Sequence, residues 1–314
     1  MGARILVGSC SWTDPTLISS GRFYPPGVSS AEDRLRYYAQ QFPIVEVDST
    51  YYAPPTARNS ELWAARTPEG FVFDVKAYGL LTGHPARVDR MPAWLRATLP
   101  GATLANKNVY RDDLAPSAVE GLWELHRAEL APLAKAGKLG AVLFQFPPWF
   151  MRTKANAEYL RELPGRLPGW TLAVEFRGGG WMEPEAAARS LRLLEEAGLA
   201  YVSVDEPQAP GTSTPPVAAA TAGLAVVRLH GRNDDTWADR SGAASNRFKY
   251  LYSDAELEEW VPHVRELAHQ THAVHVLFNN NYEDWGMRNA WRMAHLLDAE
   301  GSAGGQAMLD LATS

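Results

Sequence analysis

Eight short apolar runs punctuate the chain, and each ends in polar or charged residues before an amphipathic stretch begins. The run ends read VGSCSW (7–12), VEVDST (45–50), FDVKA (73–77), LFQFPP (143–148), VEFRGG (174–179), VSVDEP (202–207), VRLHGR (227–232) and LFNNN (277–281). Apolar strand bodies with polar last residues suit a parallel α/β barrel, whose strands fill a packed core while their C-terminal ends open onto an active-site face. The pattern predicts strands at 4–9, 44–49, 71–76, 139–146, 171–176, 200–205, 224–229 and 273–278.

Helical periodicity fills the intervals at 29–42, 58–67, 117–136, 154–163, 183–197, 254–269 and 286–299. Ser29 or Ser30 with Glu32 or Asp33 downstream suits a helix start, Pro184 suits a first turn, and Gly137 suits the residue after a helix end. A turn through Pro164 to Gly169 is expected after the fourth of these helices. The longest insertion, 78–116, follows the third strand, and either a lid or a rigid rim would account for it. Polar loops are expected at 207–223 and 231–253, with a tail or a terminal helix from Ser302 onward. No segment resembles a linker, so residues 1–314 are expected to form one (β/α)8 TIM-type barrel with an elaborated loop after strand three. The rival, a flavodoxin-like or Rossmann sheet, is weakened because GSCSWT rather than G-x-G-x-x-G follows the first strand.

Side chains two apart on a strand share a face. Glu46 with Asp48, Asp74 with Lys76, Glu175 with Arg177, and Arg228 with His230 therefore point in pairs, while Gln145, Asp205 and Asn279 end their own strands. If those faces line the mouth, acids and bases meet three fixed cations there. An unmatched buried charge costs several kcal/mol or loses its ionisation, so the signs should balance. The bland alternative is that each pair only closes the barrel, with Asp205 capping a loop and the three asparagines at 279–281 making a turn. A shift of one residue in register would send Glu46 outward.

Composition narrows the setting. With 46% hydrophobic and 21% charged residues the chain reads as an ordinary folded protein, and no apolar run nears the ~20 residues of a membrane span. The start shows no basic, long-apolar leader, and the single cysteine, Cys10, suits a reducing compartment, so a cytoplasmic protein without a membrane partner is expected. A net charge of −6 argues against indiscriminate nucleic-acid binding without excluding a local basic pocket. Trp12, Trp149, Trp181, Trp237 and Trp285 follow strand ends with Phe23, Tyr24, Tyr51, Tyr52 and Tyr282, so aromatic walls over a polar floor are expected, or else rim packing. Trp63, Trp123, Trp260 and Trp291 fall within helical patterns and read as core. Glu175, Asp205 and His230 offer a metal set, but Lys76, Arg177 and Arg228 would crowd a divalent cation, and no HxH, HExxH or paired cysteines occur. No metal is therefore assigned, and the cofactor stays open. A serine elbow is absent around Ser9 and Ser11, and Cys10 reads as packing.

VGSCSW, FYPPG, VEVDSTYYAPP, FVFDVKAYGLLTGH, GAVLFQFPP, AVEFRGGGW, VRLHGR and VLFNNN, in this order, resemble the motifs of the YecE-like family, known as domain of unknown function number 72. The likeness spans about 4–299, and the ordered set is far more specific than any one motif. It implies a TIM-type barrel in a bacterial, cytosolic protein, and it implies no reaction. The family's characteristic residues fall on Glu46, Ser49, Lys76, His84, Gln145, Glu175, Arg177, Arg228, His230, Gly231 and Asn279. Asp48 stands where the family commonly has asparagine, and Gly83 precedes His84 in a motif usually reading Thr-His.

The reading these features support is an enzyme (hydrolase, lyase or isomerase) acting on a small anionic, sugar- or nucleotide-like ligand. Glu175 and His230 would exchange protons, with Asp205 tuning His230. Lys76, Arg177 and Arg228 would hold the anion, with Gln145, Asn279, Glu46, His84, Trp12 and Trp181 completing the binding surface. The rivals are a metal-dependent phosphoesterase or nucleic-acid-processing enzyme, and a noncatalytic protein that binds a metabolite or a partner. The oligomeric state stays open.

Overall fold

The computed structural model describes residues 2–178, 180–208, 213–237 and 248–298, without the side chains of Thr236 and Trp237. Eight parallel strands close into a barrel in chain order: β1 (Arg4–Cys10), β2 (Ile44–Val47), β3 (Val72–Lys76), β4 (Leu139–Phe146), β5 (Leu172–Phe176), β6 (Ala200–Asp205), β7 (Leu224–Leu229) and β8 (Ala273–Phe278), with β8 pairing back onto β1. This is the (β/α)8 architecture expected from the eight apolar runs. Its inner face carries Leu6, Ala141, Leu143, Ala173, Val202 and Val226, a packed interior of small and branched side chains. The outer faces of the strands join the helices in a second, larger core.

Local chemistry explains most helix boundaries. Ser30 and Asp33 form a capping box on Ala31–Gln41, and Ser253 with Glu256 does the same for Asp254–Gln270. Helix Pro116–Lys135 stops before Gly137, which takes a left-handed φ of 66°. Among the departures from the sequence pattern, two are helical additions beside the barrel. Asp14 caps a short helix, Pro15–Ser20, inside the expected Pro- and Gly-rich loop. Helix Lys154–Arg166 runs past Pro164, where a turn is expected. A proline so close to a helix end removes one N–H, and the buried Leu163 with the Arg166–Glu120 ion pair holds that last turn in place.

The insertion after β3 is anchored by the fully buried Leu80, Leu81, Leu95 and Val109, and Ala86–Arg87 pairs antiparallel with Asn108–Val109 within it. Those anchors fit a fixed rim. The expected tail from Ser302 and the aromatic Trp237 side chain lie outside the described residues. No helix among the described residues is long and apolar enough to cross a membrane.

Candidate functional site

Strand register decides which polar ends meet. Pairing sets Cys10 beside Glu46, Glu46 beside Asp74, and Gln145 beside Glu175, all on the inner face. It also sets Val204 against Arg228 and Asp205 against Leu229. Arg228 points inward, so Val204 does too, and Asp205 faces the outer helices. Glu206, one residue later, returns to the inside.

Arg228 is the hub. It is fully buried, and its Nε and Nη2 donate to both oxygens of Glu46 at 2.8 and 2.7 Å, while Nη1 donates to Glu175. Glu175, equally buried, also accepts from Arg177 Nε at 2.7 Å and from Gln145 Nε2 at 2.7 Å. Burial alone would raise the Glu175 carboxyl, but Arg228, Arg177 and His230 outweigh it and hold it well below the usual carboxylate range. Burial would likewise lower Arg228, yet Glu175 and Glu46 keep its guanidinium firmly charged. The bidentate geometry with Glu46 is the kind only arginine offers.

His230 touches Glu175 Oε1 at 3.2 Å, Arg177 Nη2 at 3.0 Å and the Asn279 amide at 2.8 Å. Burial and the Arg177 charge push its imidazole well below its usual pKa, so it stays neutral. Gly231 follows at φ 90°, where a Cβ would come within 2.6 Å of Tyr250. Only glycine permits that turn.

Lys76 ends β3 half-buried in the mouth and donates to Gln145 Oε1 at 3.0 Å, with its Nζ 4.9 Å from the centre of the Tyr51 ring. Burial and Arg228 lower its pKa despite Glu46, Glu175 and Asp48. His84 reaches the rim from the insertion, edge-on to Tyr51 and Trp149, with Nδ1 2.9 Å from Thr82 Oγ1. Burial, Lys76 and Arg177 lower its pKa to about 3. Burial is the larger cause, and the charges of Lys76 and Arg177 add to it.

Four expected residues need correction or a new partner. Asp205 meets His230 through the backbone, its carbonyl accepting from the His230 N–H at 2.8 Å, while its side chain turns the other way. Its carboxylate accepts from Arg232 Nη2 at 2.7 Å, Tyr252 Oη at 2.7 Å and Trp260 Nε1 at 2.6 Å, beneath helix Asp254–Gln270. The strand ran one residue too far to keep Asp205 on the inner face. The metal set of Glu175, Asp205 and His230 is consequently not assembled, and no group of three or more His, Cys, Asp or Glu residues suited to a metal occurs among the described residues. Trp12 is buried against Trp63 and Phe73 rather than walling the mouth. Trp181 is also buried, stacked on Phe176 at 4.7 Å between ring centres, with Nε1 donating to the Phe150 carbonyl. Apolar rings of that size gain more from core burial than from lining a wet opening. Asp74 lies below the mouth, joined to His275 at 2.8 Å and to the Ala141 amide at 2.8 Å, not to Lys76. Gly140 leaves room for it, since a Cβ there would sit 2.4 Å from Asp74 Oδ1. Trp149 and Tyr52 do stay exposed.

Glu206 is the residue that sequence reasoning missed. Its Oε1 accepts from the Thr214 amide at 2.7 Å and its Oε2 pairs with Arg177. Burial raises its carboxyl to about 7 against the pull of Arg177 and that amide. Its place in VSVDEP, two residues beyond the inward Val204, is the signal that could have found it. A cavity of about 440 Å³ lies beside it, lined among others by Asp205, Arg232, Glu259, Trp260 and His263.

Comparison with known proteins follows the same outline. The family described as "Protein of unknown function DUF72" matches residues 6–309. The UPF0759 protein YunF of Bacillus subtilis is 35% identical over 311 residues, covering 98% of this chain and 99% of its own. A DUF72 family protein of Enterococcus faecalis superposes with a TM-score of 0.75 at 27% identity, covering 94% of this chain and 96% of that one. A DUF72 family protein of Thermotoga maritima gives 0.73 at 29% identity, covering 94% and 99%.

Proposed function

The chain belongs to the DUF72 family, and from that premise we propose an enzyme that acts on a small anionic ligand at the C-terminal face of its barrel by acid/base chemistry. The observation that carries this reading is the charge arrangement of the mouth. Glu46, Glu175 and Arg228 are fully buried there, a placement that stability alone does not favour, because hydrophobic replacements of buried ion pairs are often neutral or stabilising. Lys76 is left with a neutral amide as its hydrogen-bond partner. An anion would complete the set that Lys76, Arg177 and the His84 rim begin.

Roles follow from the electrostatics. Glu175 is saturated by donors and His230 is held neutral, so in this reading they fix Arg177 and Arg228 in place and present a neutral imidazole to the ligand. Glu206, whose carboxyl titrates at about 7, exchanges the proton near neutral pH. Sugar- and nucleotide-like anions, in a bacterial cytoplasm, remain the expected ligand class, with hydrolase, lyase and isomerase as the reaction classes.

The test is a thermal-shift screen of phosphorylated and carboxylated metabolites, followed by product analysis. Stabilising anions should lose their effect in Lys76→Met. Glu206→Gln should keep the shift and lose turnover by at least about a hundredfold. If no anion stabilises the protein, or if Lys76→Met shifts as the parent does, the reading fails. A bound anion that survives prolonged incubation unaltered would instead mark a metabolite-binding protein.

A further inference from the structure

We infer that Lys76 is a carbonyl-reactive amine, and that the ligand of the mouth is an anionic aldehyde or ketone held transiently as an imine on Nζ. The inference rests on the mouth being the ligand site and narrows its ligand to one chemical class.

The geometry begins with what Lys76 does not do. Among the described residues its ammonium forms no ion pair, although three glutamates line the same opening. Those carboxylates are taken: Glu46 by Arg228, Glu175 by Arg228 and Arg177, Glu206 by Arg177 and the Thr214 amide. Lys76 keeps one hydrogen bond, to the amide oxygen of Gln145 at 3.0 Å, and faces the Tyr51 ring. Gln145 in turn is oriented by Glu175 at 2.7 Å, so that the amide oxygen is turned toward Nζ. The buried Lys138, by contrast, spends its ammonium on three acceptors, the Ala64 and Thr67 carbonyls and the Thr67 hydroxyl. A lysine placed beside another cation and an aromatic face, with donors to spare, is poised to lose its proton and act through its lone pair.

The charged groups around Nζ come from several strands. Arg228 on β7 disfavours the ammonium, while Glu46 on β2, Glu175 on β5 and Asp48 just beyond β2 favour it. Burial and Arg228 prevail, which lowers the Lys76 pKa. Asp48 forms no ion pair among the described residues, and burial raises its carboxyl against the pull of Lys76 and Arg228. It is the nearby acid that no other charged group among the described residues holds.

The step balances without any further reagent. The Lys76 ammonium passes a proton to the Asp48 carboxylate, the Nζ lone pair so freed bonds to the carbonyl carbon, the C=O π pair moves to oxygen, and that oxygen takes the proton back from Asp48. The nitrogen then returns a proton to the Asp48 carboxylate. A second transfer from Asp48 expels the hydroxyl as water, the nitrogen lone pair closes C=N, and a protonated imine remains. The anionic group of the ligand lies toward Arg177, on the His84 side.

The experiment is reductive trapping on the full chain. Glyoxylate with cyanoborohydride is the probe, acetaldehyde the uncharged control, and peptide mapping by mass spectrometry locates the adducts. Thermal shift with glyoxylate alone is read on the same samples. The expected result is one N-carboxymethyl group on Lys76, formed at neutral pH at least about tenfold faster than at Lys107, Lys135, Lys138, Lys154 or Lys249. Lys76→Arg should abolish it, and acetaldehyde should label Lys76 more slowly than glyoxylate. Stabilisation by glyoxylate with no preference for Lys76 overturns the imine and leaves the anion site standing. Neither stabilisation nor selective labelling overturns both.

Discussion

Arg228 shows why this site is built on arginine rather than lysine. Its fork serves Glu46 on one side and Glu175 on the other, so Arg228→Met strands two buried carboxylates. We expect a loss of about 3–5 kcal/mol in denaturant unfolding, and a partial recovery when Glu46→Gln is added. His230 carries the opposite expectation: with its imidazole held well below the usual value, its NMR resonances should not titrate between about pH 5 and 8. Glu206 should. Its carboxyl rises from 4.5 to about 7 on folding, so the native chain binds this proton more tightly than the unfolded one. Stability should then be greatest below the unfolded value, decline as pH rises toward 7, and level off above it, by up to about 3 kcal/mol. Glu206→Gln should remove that slope in denaturation curves measured across the range. Sequence reasoning found Lys76, Glu175, Arg177, Arg228 and His230 because alternation puts each on the inner face. It missed Glu206 because Asp205, beside it, looked like the strand's natural polar ending.

At the scale of elements, loops hold the site through backbone groups that no motif advertises. Tyr252 accepts from the Gly231 amide at 2.8 Å and donates to Asp205 at 2.7 Å, tying the end of β7 to the end of β6. Asp205, turned away from the mouth, therefore still steadies the turn that places His230. Tyr252→Phe leaves that buried amide unpaired and should cost about 1–3 kcal/mol, measured by denaturant unfolding. Gly231→Ala adds a strained φ and a clash with Tyr250, and should lower the melting temperature more than Tyr252→Phe does. Helix starts were legible in advance from Ser30 with Asp33 and from Pro184. The short helix at Pro15–Ser20 was not, because six residues hold less than two turns of periodicity.

Across the whole molecule, charges from β2, β5 and β7 lock into one network, so its loss should be felt around the barrel. Glu175 has a depressed carboxyl; its contribution is present above the unfolded value and is lost as pH falls through the folded one. Acid titration followed by hydrogen exchange should show β2, β5 and β7 opening together, and Glu175→Gln should weaken the pH dependence of that limb. Independent opening of the three strands would show that the network does not couple them. Eight apolar runs of strand length, separated by amphipathic stretches, were enough to determine the barrel, because burial on both faces demands continuous apolar strands and the period of the helices leaves one packing. The polar strand ends likewise marked the face on which the buried charges gather. Which of those side chains meet was decided only by tertiary structure. Register turned Asp205 out and Glu206 in, and core packing claimed Trp12 and Trp181. The competition among three cations for three buried glutamates left Lys76 with an amide. Each outcome depends on distances of a few ångströms between strands remote in sequence, which no spacing along the chain encodes.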